Sequence, residues 1–343
     1  MEFKKYNEIE NSYRDAFMNR INTMIAEGHV ENDFVVLEKV HGSNFSFWYD
    51  GETLKTGKKS GFVGGEGEDF FNSHIIKAKY ANNIKNLYEH FNLKFGKITN
   101  MTVYGELCGG YYPGVKSDDP SIKKVQSGVW YSPNLEFYAF DITVDGKYLN
   151  ADDVSMLCRA FDIFHAKILF RGKLEDCMKY PNEYNSLISG WLGLPEVEGG
   201  NICEGNIIKP NKAVFFHNGS RVIIKNKNDK WSEKEKPAGN KEKKERPNLS
   251  EAGNKVLEEA LTYVTDNRLK NVLSKWEGPV TSKDFGRLMQ LMNVDALEDL
   301  HKDFGPELLA LEKEEIKLIN KSIGNKASIL IRKNFLNIID NNF

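Results

Sequence analysis

Phe34-Val35-Val36-Leu37-Glu38-Lys39-Val40-His41-Gly42-Ser43-Asn44-Phe45-Ser46-Phe47-Trp48-Tyr49 is the stretch on which the fold turns. Its first seven residues are β-rich, His41-Gly42 is a turn, and Asn44 to Tyr49 resumes a strand before the hairpin signal Asp50-Gly51. A lysine at a strand end, followed by a glycine turn, puts an amine where backbone closely approaches a ligand. Most such lysines are merely solvated, so this one needs support from elsewhere in the chain.

Working outward, similar apolar segments recur at Met101–Tyr104, Glu136–Val144, Asn206–Lys209 and Val222–Lys225. Helical spacing intervenes at Glu8–Ala26, Ile75–Phe91 and Asp152–Phe164. Strands separated by turns and occasional helices, without regular βαβ alternation, predict an α+β fold built on antiparallel sheet.

The composition of the 343 residues agrees with this. Apolar residues make up 40% and aromatics 12%, enough for a sizeable core and too many for general disorder. Forty-seven basic against 49 acidic residues leave a net charge of −2, which still allows a local basic surface for nucleic acid or nucleotide. Cys108, Cys158, Cys177 and Cys203 show no zinc spacing and read as free thiols in a reducing compartment. The first residues lack a signal-peptide core, and no apolar run reaches the ~18 residues of a membrane span. A soluble protein of the cytoplasm is expected, in the host cytoplasm if viral.

The texture changes once. From Lys225 to Arg246 the chain becomes polar, charged and punctuated by Pro237 and Pro247, which reads as a linker. Beyond it helical spacing runs almost to the end, with Ser250 as an N-cap before Glu251–Val264. Helices follow at Arg268–Trp276, Ser282–Met292, Val294–Lys302, Pro306–Ile323 and Asn325–Asp340. The expected organisation is a mixed domain over 1–230, a charged linker over 231–247 and a small all-helical domain over 248–343.

Four further stretches share the polarity of the first. Tyr104-Gly105-Glu106 ends a β segment, and Phe137-Tyr138-Ala139-Phe140-Asp141-Ile142 carries an aromatic suited to stacking on a base. Glu204-Gly205-Asn206-Ile207-Ile208-Lys209 offers a carboxylate, a tight turn and a lysine, and Lys225-Asn226-Lys227 sets two lysines on one strand face. Singly, the aromatic strand suits a core and the lysine pair suits a protected sheet edge.

Their order is what identifies them. Lys-x-His-Gly, Tyr-Gly-Glu, Phe-Asp-Ile, Glu-Gly-x-x-x-Lys and Lys-x-Lys resemble motifs I, III, IIIa, IV and V of the covalent nucleotidyltransferases, the polynucleotide ligases and RNA capping enzymes. Within that superfamily the chain is similar to the RNA ligase 2 family of T-even phage and kinetoplastid RNA-editing ligases. Histidine in Lys39-Val40-His41-Gly42-Ser43-Asn44 points there, as do Glu68-Asp69-Phe70-Phe71, the opening Phe3-Lys4-Lys5-Tyr6, Phe215 with Asn218-Gly219-Ser220-Arg221, and Tyr263-Val264-Thr265-Asp266-Asn267-Arg268.

The resemblance implies an antiparallel-sheet adenylyltransferase domain and an ATP-dependent RNA ligase. Such an enzyme seals 3′-hydroxyl/5′-phosphate breaks, nicks in duplex RNA foremost, through a lysyl-AMP and an RNA adenylate. Lys39 would be the nucleophile, with Glu38, Val40, His41 and Asn44 around the nucleotide, Glu106 on the ribose and Phe140 on adenine. Lys209, Lys225 and Lys227 would meet phosphates, and Glu204 would offer oxygen to Mg²⁺, or Mn²⁺ in its stead. A free lysine has a pKa of about 10.4, so an amine nucleophile needs neighbours that release its proton. The segment Met178-Lys179-Tyr180-Pro181-Asn182 resembles one where Met178, Tyr180 and Asn182 hold a structural metal, mostly by main-chain oxygens. Thr265, Asn267 and Arg268 would touch RNA from the helical tail, alternatives being a helix cap and an exposed cation.

Two departures stand out. Lys59, in Lys58-Lys59-Ser60-Gly61, occupies a place where the family has arginine, keeping the charge but not the bidentate fork. Asn206 stands where relatives carry an aromatic or aliphatic residue. Other functions carried forward are a GTP-using capping nucleotidyltransferase and a non-catalytic module that binds RNA ends. The helical tail argues against the first, and the intact Lys39, Glu204, Lys225 and Lys227 against the second. Expected partners are RNA and an end-healing kinase or phosphatase, the chain itself being a monomer away from membranes.

Overall fold

Residues 1–64, 70–234, 249–276, 278–340 and 343 are described by a computed structural model. Glu68 and Asp69, and the charged run from Glu235 to Pro247, lie outside the described residues. The chain forms two compact units, Met1–Asn228 and Asp229–Phe343.

The first unit begins with β1 (Glu10–Asn11), α1 (Asp15–Ala26), β2 (Phe34–Glu38), β3 (Ser43–Tyr49), β4 (Leu54–Lys58) and β5 (Gly61–Val63). After α2 (Ser73–Phe95) come the long strands β6 (Met101–Tyr111) and β7 (Ser132–Val144), then β8 (Lys147–Tyr148) and α3 (Ala151–Ala160). It closes with β9 (Ile168–Gly172), α4 (Leu174–Lys179), α5 (Ile188–Trp191), β10 (Gly205–Pro210) and β11 (Ile224–Lys227). The helix expected from Glu8 starts only at Asp15, because Glu10 and Asn11 are drawn into register beside Ile224 and Lys225.

Two sheets result. One runs β1-β11-β10-β2-β9, antiparallel except for β1 against β11; the other runs β5-β4-β3-β6-β7-β8 and is antiparallel throughout. Alternation decides which face each sheet buries. Phe45, Phe47 and Tyr49 of β3 pack with Val103, Leu107 and Phe137 under the α2 stripe Ile76, Tyr80, Ile84, Leu87 and Phe91. Phe17 and Ile21 of α1 cover Phe34, Val36, Ile208 and Ile224 of the first sheet. All five residues of β2 are buried, as expected of a central strand covered on both faces.

The second unit holds α6 (Glu251–Thr262), α7 (Asp266–Leu273), α8 (Phe285–Leu309) and α9 (Lys313–Ile339). Ser250 caps α6, accepting from the Gly253 N–H. Two breaks expected from the sequence are absent. Helix α8 runs through Asn293 and bends instead at Phe304 (φ −128°, ψ 26°), two residues before Pro306. Helix α9 runs through Gly324 because Ile319, Ile323, Ala327 and Ile331 continue one buried stripe.

The unit boundary falls earlier than the charged linker expected over 231–247. The segment after Asn228 is held by the helical unit itself. Asn267 Nδ2 donates to the Lys230 and Ser232 carbonyls, Thr265 Oγ1 to the Glu233 carbonyl, and Lys234 pairs with Glu259 at 3.1 Å.

Candidate active site

A cleft of about 510 Å³, open on one side to solvent, lies between the two sheets. Leu37, Glu38, Ile207 and Lys209 line it from one sheet, Asn44, Glu106, Tyr138, Phe140 and Asp141 from the other, with Lys39 and Val40 at the crossing. Strand register gathers its polar groups. Asn206 faces Glu38, Gly205 faces Lys227, and the Lys39 N–H donates to the Gly205 carbonyl at 2.8 Å. Lys39, Glu204 and Lys227 therefore meet where three strand ends converge. A Cβ on Gly205 would stand 2.3 Å from the Asn226 carbonyl oxygen, and one on Gly42 2.3 Å from that of Leu107. Only glycine permits both approaches.

Glu204 is the hub. Buried at 2% exposure, it accepts from Lys39 Nζ at 2.6 Å and Lys227 Nζ at 2.7 Å, with His41 Nδ1 at 3.5 Å. Burial alone would push its carboxyl up, but Lys227 and Lys39 together hold it well below the usual range. Glu106, paired in register with Asn44, goes the other way. Burial pushes it up to about 7, Lys39 and Lys59 opposing and Glu204 assisting. Lys59 itself is exposed in the two-residue turn joining β4 to β5, near enough for its charge to reach Glu106. Lys225 lies two residues back from Lys227 on the same strand, opposite Ile207, and outside the cleft lining.

Also lining the cleft, Phe140 meets Tyr6 edge-on at 5.1 Å. Beside them Asp141 is held by Lys209 at 2.8 Å, by Arg221 at 2.8 and 3.0 Å, and by the Tyr6 hydroxyl at 2.5 Å. Lys209 and Arg221 are both 2% exposed. Lys209, expected to meet a phosphate, lines the cleft and donates to Asp141 and the Phe140 carbonyl. Glu38 is likewise occupied, accepting from the Ser186 hydroxyl at 2.5 Å and the Leu187 N–H at 2.9 Å. Burial raises it to about 7.

At the structural metal site expected of Met178, Tyr180 and Asn182, the Pro181 and Asn182 oxygens also take part in hydrogen bonds within the protein. Met178 and Tyr180 pack against the core under α1. The Asn182 carbonyl accepts from Asn228 Nδ2, its amide donates to the Lys227 carbonyl and Asn226 Oδ1, and the Pro181 carbonyl accepts from Asn206. These oxygens bind protein donors. Asn206, buried and also accepting from the Tyr184 hydroxyl at 2.7 Å, is thereby explained as a brace between β10 and this loop. Among the described residues no group of three or more His, Cys, Asp or Glu is arranged to hold a metal. Glu204, beside Lys39, is a hard oxygen donor next to the cleft.

In the helical unit Thr265, Asn267 and Arg268, expected to touch RNA, are all engaged within the protein. Thr265 caps α7, accepting from the Arg268 N–H, and Asn267 fastens residues 230–232. Arg268, 1% exposed, donates to the Tyr263 carbonyl and pairs with Asp295 and Asp299.

Sequence reasoning missed Tyr131, whose buried hydroxyl accepts from the His41 N–H at 2.9 Å, and Ser186 on Glu38. Neither carries a local signal. Asp141 stood inside the quoted Phe140-Asp141-Ile142, but its partners lie far along the chain.

Residues 32–227 match the family described as RNA ligase, and residues 247–329 match the one described as T4 RNA ligase 2 C-terminal. RNA-editing ligase 1, mitochondrial, of Trypanosoma brucei brucei is 29% identical over 348 residues, covering 83% of this chain and 73% of that protein. RNA-editing ligase 2, mitochondrial, of the same organism is 27% identical over 365 residues, covering 90% and 85%. Against a Naegleria gruberi RNA ligase mutant solved with ATP and Mn, identity is 16% and the TM-score 0.42. That alignment takes in 67% of this chain and 58% of the solved one.

Proposed function

The chain belongs to the RNA ligase family, and from that premise we propose that it seals 3′-hydroxyl/5′-phosphate breaks in RNA, nicks in duplex RNA foremost, at the expense of ATP. The observation that carries the reading is that Lys39, held with Lys227 on Glu204, lines the same cleft as Phe140 and Glu106.

In the first step the Lys39 amine, its proton released, attacks the α-phosphorus; an N–P bond forms as the P–O bond to pyrophosphate breaks. Lys227 stands beside that amine to neutralise the charge gathering on phosphate oxygens, and Lys225 extends the cationic face of β11. Val40 and Asn44 line the nucleotide's path, Glu106 offers its carboxyl to the ribose, and Phe140 offers its ring to adenine. The AMP group then passes to the RNA 5′-phosphate. Finally the 3′-hydroxyl displaces it to form the phosphodiester, a step that needs no lysine amine. A Mg²⁺ or Mn²⁺ held by Glu204 would supply further positive charge to the phosphate oxygens and compete with the two ammoniums for that carboxylate.

Four free, buried thiols suit work in a reducing cytoplasm, and no helix of the described residues is long and apolar enough to cross a membrane. The chain acts as a monomer in this reading, downstream of a kinase or phosphatase that restores 3′-hydroxyl and 5′-phosphate ends.

The test is incubation with labelled ATP and Mg²⁺, then with nicked duplexes of RNA, DNA and hybrid. Label should become covalently attached from ATP and not from GTP. Lys39→Ala should capture none, yet still seal RNA that already carries a 5′-adenylate. Covalent capture by that variant would move the nucleophile elsewhere; attachment from GTP would favour capping.

A further inference from the structure

Strand β6, which supplies Glu106, ends in an exposed aromatic ring. Tyr111 leaves 48% of its surface in water, and its ring meets Trp130 edge-to-face at 5.0 Å and 72°. Lys124 Nζ sits 5.9 Å from the centre of the Trp130 ring. Large aromatics are mostly buried, and an exposed tyrosine set against a partly exposed tryptophan with a cation beside it suits a surface that something covers.

The surroundings are built, not loose. The Asn201 side chain grips Trp130 on both sides, accepting from its N–H at 2.8 Å and donating to its carbonyl at 2.7 Å. Gln126 accepts from the Gly109 N–H and donates to the Val129 carbonyl, while the Val125 N–H donates to the Gly109 carbonyl. Rings held this way lose little freedom when a ligand stacks on them.

Their position is equally specific. The residue after Trp130 is Tyr131, whose hydroxyl fixes the His41 N–H. The chain that carries Trp130 thus runs directly into a residue bonded to His41, which in turn lies 3.5 Å from Glu204. Lys116 and Lys123 are exposed in the same loop as Lys124. The loop's two carboxylates are turned onto its own turn: Asp118 accepts from Asn134 Nδ2, and Asp119 from the Ser121 N–H.

We infer that Tyr111, Trp130 and Lys124 form a stacking platform for one nucleobase of the RNA strand beside the break, with the loop lysines answering its phosphates. Aromatic rings interleaved with cations bind single nucleotides of either strand end without reading sequence, and the attraction weakens with salt. A protein partner would find three lysines around two rings, a poorer match than a polyanion. The inference rests on the RNA ligase reading and adds to it where the strand is held.

The experiment uses the full chain and a nicked RNA duplex carrying 2-aminopurine on either side of the nick. The parent should change the probe's fluorescence at one of the two positions. Tyr111→Ala and Lys124→Gln should each raise Kd and the KM for sealing at least fivefold, with kcat at saturation retained, whereas Trp130→Phe should keep the fluorescence change. Covalent capture of label from ATP, which uses no RNA, checks that each variant keeps an intact cleft. Parental Kd and KM in both Tyr111→Ala and Lys124→Gln would overturn the platform alone. A parent that captured no label would overturn the ligase reading, and the platform with it.

Discussion

Replacing Asp141 by asparagine keeps the shape of the side chain and removes one charge from a site that holds three. Lys209 and Arg221 would then face each other across an amide, both 2% exposed, with no anion between them. Breaking a buried ion pair by removing one partner costs about 3–5 kcal/mol, most of it the desolvation of the charge left behind. For a domain the size of Met1–Asn228, where 1 kcal/mol moves the melting temperature by about 2–4 °C, that is a fall of roughly 6–20 °C. Calorimetry of the full chain at pH 7 reads it in the transition of the sheet unit. Acid supplies a second arm. Burial works against ionised Asp141, but Arg221 and Lys209 outweigh it and hold the carboxyl below its ordinary 3.8. A depressed carboxyl contributes stability above that value and loses it as pH falls through the folded-state pKa. The parent and Asp141→Asn should therefore differ most at neutral pH and converge below about 3.8. A fall of under about 2 °C at pH 7 would refute the reasoning, because it would mean that the two cations do not depend on Asp141.

Arg268→Ala should destabilise the helical unit by about 3–5 kcal/mol, since Asp295 and Asp299 lose their common partner; thermal melting followed by far-UV circular dichroism checks it. An unchanged melt with lost RNA affinity would favour Arg268 as an RNA contact. Glu38→Gln should raise stability at pH 8 and flatten the parent's decline between pH 4.5 and about 7. A carboxyl raised on folding gives stability that is complete below its ordinary pKa and lost as pH climbs through the folded one. Chemical denaturation across that range reads the slope, and an unaltered slope would remove Glu38 as its source. A chain ended after Asn228 should fold cooperatively, whereas one ended after Arg246 should carry an undocked segment with Trp231, now 7% exposed, in water. Equal tryptophan emission maxima for that segment in the longer fragment and the full chain would contradict this.

The parts of the cleft legible in the sequence were those written in short strand-turn patterns. Lys39 before Gly42 and Glu204 before Gly205 each need a glycine to let backbone pass, and that need shows as a residue type at a fixed offset. The lysine pair showed through the period of two, although only the partner strand decides that Lys227 meets Glu204. The burial of Lys209 and Arg268 was not legible, for a common reason. Each looks like an exposed cation from its own neighbourhood, and each is buried by carboxylates that arrive from far along the chain: Asp141, 68 residues before Lys209, and Asp295 and Asp299 of α8. The two aspartates stand four apart on one helical face, but nothing local shows that this face turns toward Arg268. Tyr131 and Ser186 act through a hydroxyl on a loop, where neither spacing nor composition marks them.

Because residues 229–234 are fastened to α6 and α7, the charged run from Glu235 to Pro247 has both its ends in the same unit. It joins Lys234 to Leu249, both in the unit Asp229–Phe343. The chain can accordingly be divided there into two polypeptides, one carrying the sheet unit with residues 229–234 and one carrying the rest of the helical unit from Leu249. Coexpressed, they would find each other through Trp231, Glu233 and Lys234 on one side and Glu259, Thr265 and Asn267 on the other. That makes the run a site for inserting a tag, or for making sealing conditional on reassembly, without touching the cleft.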